Sequence, residues 1–406
     1  MAVNLSEPGK LSAVPGVELA TGAAAIKAAD RDDVTLVSFV DSTTIGGVFT
    51  QSSFRAAPVI MAESNIELGG VRALLINSGN ANAATGEAGL DDARILCQAA
   101  ADSLGLDITA IAPFSTGVIG ERLPLEKMDP VVRNLAAARE ADNWLAAARA
   151  IMTTDTVAKV ISRTTTIAGA LVTITGMAKG AGMIKPDMAT LLAFVCCDAV
   201  VEQDCLGSLT REVVAASFNR ITVDGDTSTN DAFVVAATGL ADHPRIEDPH
   251  SREGRALKSA LLEVSRELAQ RIVRDAEGAT KFVTVRVGGG RDEAECLEVA
   301  YTIAESPLVK TALFASDPNW GRLAMAIGRA RVRQLDSNGV DAYFDSVQVM
   351  AAGVMAPNYL EAAGAEVLAR DEFTIRVELS RGEAQAEIWT SDLSYDYVRI
   401  NAEYRT

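Results

Sequence analysis

Apolar positions along the chain gather in short runs of strand length, separated by longer stretches with helical spacing. VTLVSFV (34–40) and ALLI (73–76) are mostly apolar blocks that predict strands covered on both faces. DDARILCQAAADSL (91–104) opens on acids and then spaces its apolar residues as a helix does. The stretch 125–153, rich in alanine and mixed charge, predicts one or two helices. Strands are expected at 164–175 and 191–198, a helix at 203–217 and a strand at 232–237. A long helix at 252–276 follows, then strands at 282–287, 373–379 and 385–389. GGG at 288–290 reads as a turn between elements. The alternation predicts mixed α/β layers, with no internal repeat and no low-complexity block.

Composition narrows the class. A chain of 406 residues is expected to hold two or three domains or one large double-layered unit. Hydrophobic residues at 49% and charged residues at 22% are the balance of a soluble globular protein. The net charge of −17 disfavours nucleic acid or an anionic membrane as a partner. It does not exclude an anionic substrate, which one well-aimed lysine or arginine can hold. The first residues lack a basic start and an apolar run, and no stretch reaches the roughly 18 apolar residues of a membrane span. Five cysteines, an odd number without a C-x-x-C pair, argue for a reducing compartment, hence the cytoplasm, and against a disulfide framework or zinc.

Histidine is scarce. Only His243 and His250 occur, both in the loop-like ADHPRIEDPH. A Ser-His-Asp or Cys-His site would need one of them at the nucleophile. An enzyme built on this chain is therefore expected to use another base, and no imidazole metal site is expected.

One segment invites chemistry. Lys179-Gly-Ala-Gly-Met-Ile-Lys-Pro-Asp-Met-Ala189-Thr190 packs two glycines and a proline into a tight irregular turn, and an apolar strand follows at once. Thr190 reads as a β-branched residue opening that strand. It also reads as a nucleophile. A threonine hydroxyl needs a base, and its own α-amino group, with an ordinary pKa of about 7.7–8.0, can serve. That requires cleavage of the Ala189–Thr190 bond, by an N-to-O acyl shift followed by hydrolysis. Pattern alone leaves both readings open.

KGAGMIKPDMATLLAF resembles the autocleavage motif of the ornithine acetyltransferase family, the bifunctional arginine biosynthesis proteins. The resemblance extends through GVFTQSSFRAAPV (47–59), INSGNANAATGEAG (76–89), PFSTGVIGERLP (113–124), AIMTTDTVAK (150–159), FNRITVDGDTSTNDAF (218–233), RDAEGATKF (274–282), SDPNWGR (316–322) and DLSYDYVRINAEYRT (392–406), in the family's order. It departs at Ser52, where the family more often has asparagine, and at Lys185 and Asp187, which fall at variable positions.

The resemblance implies a four-layer α/β/β/α sandwich related in architecture to the self-cleaving aminopeptidases. It implies an α chain of residues 1–189 and a β chain of residues 190–406, with two of each in a heterotetramer. Thr190 is the implied nucleophile, both for cleavage at Ala189–Thr190 and for accepting acetyl from acetylornithine. Ornithine leaves, and glutamate takes the acetyl group to give acetylglutamate. Thr116 and Gly117 are the implied oxyanion donors. Thr153 or Thr154, Lys179, Glu277, Asn401 and Thr406 are the implied substrate contacts, together with Thr190. No metal and no cofactor is implied, and acetyl-CoA stays open as a cosubstrate. Asp224, Asp226 and Asp231 read as turn-forming aspartates, since their spacing is not that of a calcium loop. Three other readings compete: a hydrolase on the same scaffold, a relative serving a specialised pathway, and a binding protein that kept the fold. Lys179, Glu277 and Asn401 favour charged amino-acid substrates over the first, and an intact Ala189–Thr190 segment disfavours the last.

Overall fold

The structure, a computed structural model, describes residues 2–185 and 191–403. Its strands are β1 (Val17–Gly22), β2 (Val34–Phe39), β3 (Thr44–Phe49), β4 (Ala73–Asn80), β5 (Ile111–Val118), β6 (Lys159–Ile167), β7 (Ala170–Lys179), β8 (Leu192–Cys197), β9 (Ile221–Thr222), β10 (Ala232–Ala237), β11 (Phe282–Gly290), β12 (Asp341–Phe344), β13 (Val347–Ala351), β14 (Val354–Met355), β15 (Glu372–Glu378) and β16 (Ala384–Ser391). Its helices are α1 (Ala57–Leu68), α2 (Gly86–Leu104), α3 (Leu125–Leu135), α4 (Trp144–Ala150), α5 (Gln203–Ala215), α6 (Arg252–Arg274), α7 (Glu293–Ala304), α8 (Pro307–Phe314), α9 (Trp320–Gly328), α10 (Glu361–Leu368) and α11 (Tyr395–Ala402). They form two compact units: a larger one of Glu7–Asn219 and Thr227–Ile272, and a smaller one of Met1–Ser6, Arg220–Asp226 and Val273–Thr406.

The larger unit stacks two sheets. One runs β1-β2-β4-β5, the other β3-β10-β8-β7-β6. Period-two alternation sends residues of each strand to opposite faces. Leu74, Ile76, Ala112 and Phe114 of the first sheet meet Leu192, Phe194 and Val234 of the second in one core. Phe114 and Phe194 touch edge to face, with centroids 5.1 Å apart, a contact worth about 0.5–1.5 kcal/mol beyond its burial. The alternate residues Leu36, Leu75 and Ile111 turn outward against Leu96 and Cys97 of α2 and Met128 and Val132 of α3. On the far face of the second sheet, a Cβ on Gly176 would sit 3.0 Å from Leu268 of α6, and one on Gly46 would sit 2.4 Å from the Thr210 hydroxyl of α5. The unit is thus a four-layer α/β/β/α sandwich, and both sheets are covered on both sides. That is why VTLVSFV and LLAFVCC are nearly continuous apolar runs.

The smaller unit holds a seven-stranded sheet, β14-β13-β12-β15-β11-β16-β9. One face is apolar: Val283, Val285, Ile375, Val377 and Ile388 pack on α7, α8, α9 and α10. The other face carries charge. Arg286 Nε donates to Glu387 Oε2 at 2.9 Å, and the Arg376 guanidinium lies 3.8 Å over the Tyr343 ring.

Two expectations change. The run 164–175 is not one strand but parts of β6 and β7, hairpinned at Ala168 and Gly169, which both adopt positive φ (50° and 89°). Gly288–Gly290 is not a turn but the end of β11, with a bulge between Gly288 and Gly290. A Cβ on Gly290 would meet the Cys296 sulfur at 2.4 Å, so close helix packing, not a change of direction, requires the glycine there.

Candidate active site

In the larger unit, β5 runs parallel to β4 and the register breaks at its end, around Gly79 and Asn80. Gly117 lies opposite Gly79 with φ of 134°, and a Cβ there would stand 2.2 Å from the Gly79 carbonyl carbon. No side chain fits, because the Gly79–Asn80 backbone packs directly against Gly117 there. Its neighbour Thr116 accepts a hydrogen bond through Oγ1 from Lys179 Nζ, 3.1 Å away. A hydroxyl that accepts from an ammonium keeps its own proton free to donate elsewhere. Asn230 fixes this end of the sheet from the side: Nδ2 donates to the carbonyls of Ala81 (2.6 Å) and Ser115 (2.9 Å).

Lys179 is the last residue of β7 and is itself buried. Behind it lies Asp155, fully buried with Lys159. Asp155 Oδ1 accepts from Lys159 Nζ at 2.6 Å and from the Gly180 amide at 2.7 Å. Its Oδ2 accepts from the Thr153 amide at 3.0 Å. Burial pushes the Asp155 carboxyl up, but the charges of Lys159 and Lys179 and these donors outweigh it and hold it well below the usual carboxylate range. Thr154 follows in the same loop and is half-buried. Arg31 ties that loop to β4, donating from Nη2 to Ser78 Oγ at 3.0 Å and to the Met152 carbonyl.

β8 begins at this same end. Leu192 pairs with Lys179 on one side and with Ala232 on the other, and the Leu191 carbonyl accepts from the Ala232 amide at 2.8 Å. Ala189 and Thr190, which directly precede Leu191, lie outside the described residues. Asp231, just before β10, departs from its expected role as a turn former. It is buried, its Oδ2 has no hydrogen-bond partner among the described residues, and burial pushes its carboxyl well above the ordinary value of 3.8 against the pull of Ser228 and Lys179.

The smaller unit brings together Glu277 and Asn401. Glu277, buried in the turn after α6, accepts from Asn401 Nδ2 at 2.7 Å through Oε2. Asn401 sits in the last turn of α11, and the same Nδ2 also reaches the Tyr397 carbonyl at 3.0 Å. Gly278 follows Glu277 with φ of 68°, and a Cβ there would stand 2.5 Å from the Tyr397 amide, so the turn and α11 touch backbone to backbone. Ser394 caps α11 and donates to the Gly278 carbonyl at 2.6 Å. Tyr397 donates its hydroxyl to Asp224 Oδ2 at 3.2 Å. Burial, with Asp224 next, raises the phenol and keeps it protonated. Thr406 lies outside the described residues.

Neither histidine is near these groups in the sequence, and His243 is already engaged. Its Nε2 accepts from the Val200 amide at 3.2 Å and its Nδ1 faces the Pro244 carbonyl at 2.8 Å. All five cysteines are free and buried. Sequence reasoning passed over Lys159 and Asp155 and read Asp231 as a turn former. A lysine inside a strand or an aspartate in a turn reads as solvated, and only burial distinguishes these.

A hydroxyl with a free proton, next to a glycine amide and a buried ammonium, suits chemistry in which an oxyanion forms and collapses, as in acyl transfer. Comparison with known proteins gives the family. The ArgJ family model matches residues 18–406. The arginine biosynthesis bifunctional protein ArgJ of Pseudomonas syringae pv. tomato (strain ATCC BAA-871 / DC3000) is 51% identical over 406 residues, covering all of both chains. The protein of the same name from Pseudomonas fluorescens (strain Pf0-1) is 49% identical over 406 residues, again covering all of both chains. Among solved structures, that of the arginine biosynthesis bifunctional protein argJ from Bacillus halodurans is 37% identical, covers 50% of this chain and 95% of its own, and has a TM-score of 0.48. That of ornithine acetyltransferase from Mycobacterium tuberculosis, complexed with ornithine, is 34% identical, covers 43% of this chain and 94% of its own, and has a TM-score of 0.38. The chain belongs to the ArgJ family and is an acetyltransferase of arginine biosynthesis. No helix among the described residues is long and apolar enough to cross a membrane.

Proposed function

We propose that the chain cleaves itself between Ala189 and Thr190 and then carries acetyl from N2-acetylornithine to glutamate on the Thr190 hydroxyl. In the first stage Thr190 Oγ attacks the Ala189 carbonyl carbon. The amide bond breaks, its nitrogen becomes the Thr190 α-amine, and water hydrolyses the resulting ester to free residues 1–189 as the α chain and 190–406 as the β chain. In the second stage the α-amine takes the hydroxyl proton. Oγ attacks the acetyl carbonyl, and ornithine leaves with a proton on its amine. The α-amine of glutamate then attacks the acetyl-Thr190 ester, acetylglutamate leaves, and the hydroxyl is restored.

Thr116 Oγ–H and the Gly117 amide receive the oxyanion in this reading. Lys179 meets a substrate carboxylate and, by donating to Thr116, turns the Thr116 proton outward. Thr153 or Thr154 contacts the same substrates. Glu277 receives the ornithine amine, and Asn401 and Thr406 make further substrate contacts. The observation that carries the proposal is the Lys179–Thr116 hydrogen bond, made from the residue that pairs with Leu192 two positions after Thr190. Cleavage would fall between adjacent strands of one sheet, β7 and β8. Their ladder and the shared core keep the two pieces together as a heterodimer, and two heterodimers make the tetramer. The free buried cysteines suit a cytoplasmic enzyme. Acetyl-CoA can load the same threonine without any added cofactor, and the second function in the relatives' name, bifunctional, leaves room for that donor.

The test is mass analysis with acetylornithine alone, then with glutamate added. The expected result is a 190–406 fragment heavier by one acetyl group, which glutamate discharges as acetylglutamate. Release of free acetate at the same rate with or without glutamate would replace this reading with that of a hydrolase.

A further inference from the structure

We propose that Asp155, paired with Lys159, is a positioning residue that sets the distance between two substrate contacts, the Thr153–Thr154 turn and Lys179. This rests on the acetyl-transfer reading and deepens it. One carboxylate spans two segments that are 25 residues apart. Oδ2 holds the Thr153 amide, and Oδ1 holds the Gly180 amide, the first backbone donor after Lys179. The two segments enter from different elements, the loop after α4 and the end of β7, and Asp155 fixes one against the other.

Lys159 gives the arrangement its charge. It lies on β6, paired with Ala178 of β7, and its ammonium is 2.6 Å from Asp155 Oδ1 with both side chains fully buried. Asp155 carries one negative charge, and Lys159 and Lys179 carry two positive ones. The trio keeps one net positive charge, the complement of one substrate carboxylate. Without Lys159, Asp155 would neutralise Lys179 and that attraction would be lost. Buried ion pairs often add little stability over an apolar pair of the same volume, so a role in placement accounts for keeping this one.

The test uses full-length protein and two variants, with kcat and KM measured for acetylornithine and glutamate and folding followed by circular dichroism. Asp155→Glu keeps both charges and moves the carboxylate outward. Asp155→Asn combined with Lys159→Met removes both charges of the pair and leaves the net positive charge on Lys179. We expect both to melt cooperatively and KM for both substrates to rise about tenfold or more, since displacements near 1 Å cost about 10²-fold in well-aligned sites. A folded Asp155→Glu or double variant with wild-type KM values would overturn the proposal. Loss of the fold in both would assign the pair to stability alone and overturn it too. Absence of transfer by the wild-type protein would instead sink the acetyl-transfer reading, so the two failures are separable.

Discussion

Two lysines are buried to nearly the same degree and live in opposite surroundings. Lys159 of the larger unit donates to an ionised carboxylate, Asp155, at 2.6 Å. Lys310 of the smaller unit, on α8, donates to neutral oxygens, the Thr390 hydroxyl at 3.0 Å and the Ser391 carbonyl. The acid that acts on it most strongly, Asp392, is already engaged by the amides of Thr280 (2.8 Å) and Lys281 (3.0 Å). Burial therefore pulls Lys310 down from 10.5 to about 8, against the opposing pull of Asp392, Asp224 and Glu305. The difference is one of design. The larger unit keeps a full ionic pair, Asp155 with Lys159, next to Lys179. The smaller unit uses a lysine as a hydrogen-bond donor that binds β16 to α8 and can surrender its proton.

The contrast predicts effects of very different size. Lys159→Met should be the most damaging to stability, because it takes from the buried Asp155 the one ammonium that hydrogen-bonds it directly among the described residues. Breaking a buried pair on one side costs about 3–5 kcal/mol, which urea unfolding will read. A loss under about 1 kcal/mol would show that water reaches Asp155 and would end the comparison. Thr116→Val should leave the fold intact and lower kcat by about 10²–10³, the usual effect of losing one oxyanion donor. An unchanged kcat would remove Thr116 from the chemistry.

Lys310→Met tests the other side. The folded chain holds this group near 8 and the unfolded chain near 10.5. Between those values the unfolded chain takes up a proton that the folded chain refuses, so this group's contribution to stability rises with pH across that window. Below about pH 8 both states are protonated and the folded state bears the cost of burying the charge. Urea unfolding at about pH 7.5 and about pH 9.5 should show wild type gaining on Lys310→Met at the higher pH. Parallel behaviour would show that Lys310 is as well paired as Lys159. The smallest effect is expected from Asn401→Ala. It removes a hydrogen bond from an exposed side chain to Glu277 and should raise KM for acetylornithine with little change in melting temperature.

Much of the fold was legible. β10 falls at its expected bounds, 232–237, because a strand covered on both faces is a plain apolar block. The 168–169 hairpin was hidden because Ala168 takes a left-handed conformation where asparagine, aspartate or glycine usually stands before the turn's second residue, here Gly169. The triple glycine misled because glycine marks close approach as well as turns. The candidate site divides the same way. Thr116, Gly117, Lys179, Glu277 and Asn401 came from a motif resemblance, and the structure pairs Thr116 with Lys179 and Glu277 with Asn401. Asp155 and Lys159 carry no local signal, since a short-range acid–lysine spacing is ordinary on any surface. Their meaning arises only when the two-sheet core closes over them and removes the water.

Self-cleavage, as proposed, makes Thr190 an N-terminal nucleophile. Intact mass analysis of wild type and Thr190→Ala under denaturing conditions tests it most directly. Two pieces are expected from wild type, residues 1–189 and 190–406, the second beginning Thr-Leu-Leu, and one uncut chain from the variant. A wild-type chain that stays whole while it transfers acetyl would contradict the proposal.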